Sequence, residues 1–588
     1  MTFRADLRRI VLVALLPALL ASCGQPEERA SPFETAQAAL ARGDGRAAEG
    51  RLRAMLGQGH AEAELAAYLG QAALQQDDLA KARRWLEGGA FSAETAGLGF
   101  RMLGELEMRD GNLAAAGAAY DRALNADPGN AELWAEIGRL RYRGGEQLQA
   151  IEAADRALAI DPGNPVGLRF RAQLVRDSDG PRPALEWLRT ALEAAPDDVG
   201  LLTDYAATLG DAGEAGAALA ALRRASELSP NAPRIVYLSA VIAARGREFD
   251  LARSLLQRAP KAEAETPAAL LLSGILDLEL GNHASAALTF DRLSQLQPDN
   301  RRAARLLARS LMLSGGEREL VARLAEGASE RRASPYLKTV VGRALETLDR
   351  REEAAAFLDA AARPSTLAVS PLPSRTLPEA LRFDRIDSGP DLRDFVRAHI
   401  RNGQTGRAMV EAANFAREHP GSGDAQSLLG DALLVHGETD RAIQAYSRAA
   451  QVRRDWPLTQ RLIAAHTMKG DSDAVGEALE RYLSGGGNEV SAAGLYGGWL
   501  ASRGKFTLAA GMLDSAIARG AHSDPAVLAL RSEVAVQLGA IGDARRFAWR
   551  AYKLQPLFPP AIRSLARVSE DAALVDRLER KLTKVTAR

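Results

Sequence analysis

Metal or nucleophilic chemistry needs several reactive side chains brought to one place, and this sequence spreads them apart. The seven histidines, His60, His283, His399, His419, His436, His466 and His522, fall in separate segments. None belongs to a His-Glu-x-x-His motif, and no two stand four residues apart on one helix face, so a shared metal ion is not indicated. Asp471 and Asp473 sit between two helical patterns, where a loop role is favoured over a metal role. Gly504-Lys505 has Trp499 where a phosphate loop needs its first glycine, and no strand precedes it. Ser484 to Gly487 is a glycine-rich turn that reads as a linker. A single cysteine, Cys23, excludes an intramolecular disulfide framework and a thiolate metal cluster. These residues point to no enzyme, no metal and no cofactor.

Cys23 has a different use. Arg4, Arg8 and Arg9 precede an apolar run from Ile10 to Leu20, followed by the small residues Ala21 and Ser22, which is the layout of a secretory signal. The run is too short to span a bilayer comfortably. Leu20, Ala21, Ser22 and Cys23 resemble the lipobox of bacterial lipoproteins. That resemblance implies cleavage before Cys23 and acylation of it, an anchor to which each buried methylene adds about 0.8 kcal/mol. Gly24, where an aspartate would retain a lipoprotein in the inner membrane, implies an outer-membrane protein facing the periplasm. An ordinary signal peptide cut near Ala21, or an uncleaved anchor, is the alternative. The 75 basic and 75 acidic residues cancel, so no nucleic-acid partner is indicated.

The elements that carry any function are set by an internal period. Pro128, Pro162, Pro196 and Pro230 are 34 residues apart, and Pro298 falls two periods on. In the same register alanine recurs at Ala116, Ala150, Ala184, Ala218, Ala252 and Ala286. A tiny residue recurs at Gly104, Gly138, Ala172, Ala206, Ala240 and Gly274, with Gly70 upstream and Gly342 and Gly430 downstream. Between them Tyr120, Leu188, Leu222, Leu256 and Phe290 mark one larger slot, which Ala154 fills in its unit. Each unit holds two segments of helical period around a breaker such as Gly144-Gly145, so each predicts two antiparallel helices. The tiny slots predict close approach of the two backbones, and the prolines end the second helix.

This pattern resembles the tetratricopeptide repeat, best carried by Trp134, Ile137, Gly138, Ala150, Ala154, Ala157 and Pro162. The resemblance implies an all-α solenoid, a right-handed superhelix of helix-turn-helix units. Units start near residues 29, 63, 97, 131, 165, 199, 233, 267, 301 and 335, and again near 389, 423, 457, 490 and 525. Leu320 and Gly476 stand where alanine belongs and blur two boundaries. The expected organisation is a signal peptide (1–22), an acylated tether (23–32), an N-terminal solenoid (33–363), a proline-rich linker (364–390), a C-terminal solenoid (391–558) and capping helices (559–588). The linker, with Pro364, Pro371, Pro373, Pro378 and Pro390, reads as an inserted loop or kink, with a hinge or a partner-binding insertion as the alternative.

In solenoids of this family the first helix of each pair lines the inner face, and its second, fifth, ninth, twelfth and thirteenth residues make ligand contacts. Carried over, that register places Arg101, Arg109, Arg139, Arg143, Arg169 and Arg176 on one inner stretch, with Tyr142 and Tyr237 nearby. Guanidinium groups there would suit a carboxylate-rich peptide or an acidic polysaccharide. The alternative is a solvated face whose arginines pair with Glu105 and Glu132. As a whole the chain is similar to the tetratricopeptide lipoproteins of exopolysaccharide export, including alginate-type and PEP-CTERM systems. That likeness implies a non-catalytic scaffold for envelope or export proteins. An outer-membrane assembly factor, or a regulator of a cell-wall enzyme, is the alternative.

Overall fold

The computed structural model describes residues 31–230, 232–258, 265–298, 300–330, 333–362 and 389–586. The signal segment with Cys23, and nearly all of the proline-rich stretch, lie outside the described residues. Among the described residues there are 32 α-helices, one short 3-10 segment (Ala521–Ser523) and no strand. The chain divides after Leu140 into two compact units.

Local chemistry sets each hairpin. In the pair Ala96–Asp110 and Leu113–Ala126, Gly111 turns the chain at φ 80°, a left-handed conformation that favours glycine. Asn112 then caps the second helix by accepting from the Ala115 N–H. The Asp-Pro-Gly-Asn sequence that follows does two jobs: Pro128 ends the helix, and Asn130 caps the next one through the Leu133 N–H at 3.0 Å. In the next unit Asn164 caps helix Pro165–Ser178 in the same way, at 2.9 Å from the Gly167 N–H.

The slots pack as a size-matched pair. The periodic alanines Ala116, Ala150, Ala184, Ala218, Ala252 and Ala286 are all 0 % exposed. The glycine slot differs in its partner from the expectation. A Cβ at Gly274 would lie 2.6 Å from the Phe290 ring, one at Gly342 would lie 2.8 Å from Leu358, and those at Gly104 and Gly430 would strike the rings of Tyr120 and Tyr446. The glycine therefore makes room chiefly for the large side chain of its own second helix, rather than for the alanine backbone. Where the large slot is leucine, as at Leu188 and Leu222, the tiny slot can hold an alanine, Ala172 or Ala206, and both residues stay buried. The two irregular units are hairpins as well. Leu320 is fully buried, and Gly476 lies under the ring of Trp499 from the following unit.

Within the unit from Arg141 onward, the two runs of repeats touch along their length. The Leu148 N–H donates to the Gly421 carbonyl at 3.2 Å, and the Gly423 N–H to Gln147 Oε1 at 3.1 Å. The Arg182 N–H donates to the Gly485 carbonyl at 3.0 Å. Asn488 reaches the Asp211 carbonyl across 277 residues of sequence, and Arg247 the Ala518 carbonyl across 271. Those separations equal about eight repeats. Ser484 to Gly487, which reads as a plain linker, is thus a docking turn: a Cβ at Gly486 would stand 2.9 Å from Pro181.

Candidate binding surface

The arginines expected on the inner face are carried by the first helices of their hairpins, and three of the six, Arg101, Arg109 and Arg169, pair with acids. In the first unit, Arg101 pairs with Glu132 and, at 3.5 Å, with Glu136 of the following helix. Arg109 pairs with Glu105 at 2.6 Å and Asp77 at 3.3 Å and donates to the Leu74 carbonyl. Arg139 lies close enough to Glu136 and Tyr120 to oppose part of the rise that burial gives both groups. In the second unit, Arg169 Nε donates to Asp204 at 2.7 Å, and Arg143 is engaged as well. Half-buried Arg176 alone of the six has no hydrogen-bond or ion-pair partner among the described residues. Arg101, Arg109 and Arg139 belong to the first compact unit, and Arg143, Arg169 and Arg176 to the second. Tyr142 donates to Asp177, and burial raises the Tyr237 hydroxyl.

Burial outweighs pairing at Glu136 and Tyr120, whereas at Arg101 the neighbouring carboxylates outweigh it. Desolvation raises the Glu136 carboxyl to about 7, against the opposing pull of Arg101. The same burial, with Glu136 and Glu105 beside it, holds the Tyr120 hydroxyl far above its ordinary range.

A tighter network lies in the second unit. Arg461 grips Asp431 through two bonds, Nε at 2.6 Å and Nη2 at 3.1 Å, and the Tyr446 hydroxyl donates to the same carboxylate at 2.8 Å. Both charged side chains are 11 % exposed. The signal for it was present in the sequence: Asp431 follows the glycine of its unit, Tyr446 fills the large slot, and Arg461 occupies the fifth position of the next unit.

Several of the other reactive side chains have local structural roles. Asp471 caps helix Ser472–Ser484, Asp473 pairs with Arg503, and Lys505 follows a helix. Buried His399 shares its Nδ1 with Gln404 Oε1 at 2.5 Å, and His436 meets Thr405 at 3.1 Å. Among the described residues no three His, Cys, Asp or Glu side chains could hold a metal ion, and no helix is long and apolar enough to cross a membrane.

A tetratricopeptide repeat model matches residues 101–165, 205–268 and 393–457. Those three segments resemble tetratricopeptide repeats, and the fold is an all-α solenoid of helical hairpins. A comparison with curated proteins returned no match. Among solved structures, the chain is similar over 94% of its length to the APC/C hetero-tetramer Cut9-Hcn1, with 13% identity, 92% of that chain covered and a TM-score of 0.37. Over 35% of its length it is similar to PilF of Pseudomonas aeruginosa, with 20% identity, 95% of that chain covered and a TM-score of 0.32. Over 33% it is similar to YrrB, described as a TPR protein with an unusual peptide-binding site, with 20% identity, 97% of that chain covered and a TM-score of 0.25.

Proposed function

We propose that this chain is a non-catalytic scaffold that holds other proteins, anchored through acylated Cys23 to the outer membrane and facing the periplasm, where it supports exopolysaccharide export or envelope assembly. The observation that carries the scaffold reading is how the side chains are spent. Buried groups close the hairpins or strut neighbouring helices together, which leaves the exposed surface of the repeated hairpins for recognition. Such a surface recognises partners by area and charge pattern. The anchor rests on the sequence Leu20-Ala21-Ser22-Cys23 behind its apolar run.

In-cell crosslinking of the full chain, followed by mass spectrometry, tests the scaffold. Recovery of envelope or export proteins supports it, and adducts with lipid or glycan alone contradict it. Cys23→Ala tests the anchor. The variant is expected in a soluble or unprocessed form, and fractionation identical to the parent's would overturn the lipobox reading.

A further inference from the structure

Helix Arg301–Leu313 departs from the pairing described above. Its buried side is apolar, with Ala303, Leu307, Ala308 and Leu311 in the core. Arg301, Arg302, Arg305 and Arg309 fall within about 100° of arc on one side at 3.6 residues per turn. None has a carboxylate partner among the described residues. The reason lies in the neighbouring units. Arg305 occupies the fifth position of its unit, as Arg101, Arg169 and Arg461 do in theirs. Arg101 and Arg169 are closed by the sixth residue of the following unit, Glu136 and Asp204. Arg461 is closed by the ninth residue of the preceding one, Asp431. Around Arg305 those two places hold Val340 and Ile275.

The second run of repeats adds to the charge instead of cancelling it. Arg309 Nη2 meets His522 Nε2 at 3.4 Å across 213 residues of sequence. Burial, Arg309 and Arg550 lower the His522 pKa, with Glu279 opposing, so the neutral ring accepts from the guanidinium and brings no negative charge. Arg550 has the Phe547 ring beside it and no acid. Tyr336, from the following unit, lies near Arg305 and Arg309. Exposed Leu313 continues the line of Arg301, Arg305 and Arg309.

We propose that the stripe Arg301, Arg302, Arg305 and Arg309, with Arg550 across from it, is a docking site for an extended acidic segment of a partner protein. The inference rests on the scaffold reading and gives its partner a chemistry. Residues four apart on a helix rise about 6 Å, and alternate residues of an extended strand lie about 6.6 to 6.8 Å apart. Successive arginines can therefore meet successive carboxylates of an Asp/Glu-x-Asp/Glu run, each through a charge-assisted fork.

The test uses the purified full chain and a fluorescein-labelled hexaglutamate peptide at low salt, where surface charge is least screened. The parent binds, and Arg305→Ala/Arg309→Ala binds at least about tenfold more weakly, a loss of roughly one charged fork. Arg318→Ala, on the next helix, binds like the parent. Arg305→Ala alone, at an exposed side chain without a partner, keeps the test valid should the double variant misfold, and is expected to weaken binding by a smaller factor. Equal affinity of parent and arginine variants overturns the proposal. So does a polygalacturonate oligomer that displaces the peptide at a concentration far below the peptide's own Kd, which would assign the stripe to acidic polysaccharide. In-cell capture of proteins that is unchanged in the double variant removes this site and leaves the scaffold standing. A parent chain that captures no protein removes the scaffold itself.

Discussion

Arg461 and Arg305 hold the same position in their units, and their surroundings make them opposites. Arg461 is buried and locked by Asp431 and Tyr446. Arg305 is exposed, has Ile275 and Val340 at the register positions where acids close its counterparts, and has Arg309 as a neighbour. The repeat fixes where an arginine points, and the residue supplied by the adjoining unit decides whether it becomes a strut or a hand. Scanning inner-face positions for arginine finds both kinds, and only the pairing separates them.

The largest effect should come from breaking the strut. Asp431→Ala leaves a buried guanidinium uncompensated, which typically costs about 3–5 kcal/mol. Hydrogen exchange over helices Gly423–His436 and Trp456–Lys469 should show the loss, since a repeat array opens unit by unit. Protection equal to the parent's would mean that Asp431 is not what holds Arg461. Next comes the packing that both regions share. Gly274→Leu, beside Phe290, should overpack its hairpin by about 1–3 kcal/mol. A parental thermal melt would contradict the glycine and aromatic pairing.

A smaller effect sharpens the comparison directly. Ile275→Asp places a carboxylate at the same separation before Arg305 that Asp431 has before Arg461, and should turn the hand into a strut. Hexaglutamate affinity should fall while Arg305 is intact, and unchanged affinity would show that the slot does not control pairing. At the bottom of the scale, Arg305→Ala should leave stability within about 0.5 kcal/mol of the parent, read from the same melts.

The first unit offers a test by pH. The Glu136 carboxyl titrates near 7 in the folded chain and at 4.5 as a free side chain. The folded state therefore keeps a proton that the unfolded state releases, and this group's contribution to stability falls as pH rises from 4.5 towards 7. Glu136→Gln should flatten that slope in a series of melts, and an unchanged slope would place its origin elsewhere.

The periodic slots were legible because they recur. Gly104, Gly274 and Gly430 stand at one position and Tyr120, Phe290 and Tyr446 at another, so hairpins followed from the sequence alone. What fills the glycine's space was not legible, because period shows that a position must be small and not which neighbour demands it. The contacts between the two runs were hidden for a different reason. Arg182 meets Gly485 from about three hundred residues away, through backbone atoms that leave no mark in composition. The arginines expected on the inner face were legible as side chains on first helices, but their partners were not. Recognising Arg101 with Glu136, or Arg169 with Asp204, requires comparing the fifth position of one unit with the sixth of the next.

The most direct measurement of the central claim is site-specific photocrosslinking in cells from two positions of the full chain. One crosslinker replaces Arg302 beside the unpaired stripe, and the other replaces Leu288, an exposed residue on the second helix of the preceding unit. Adducts with a protein carrying an acidic segment should form from position 302 and be absent from position 288. Equal adducts from both, or none from position 302, would contradict the account.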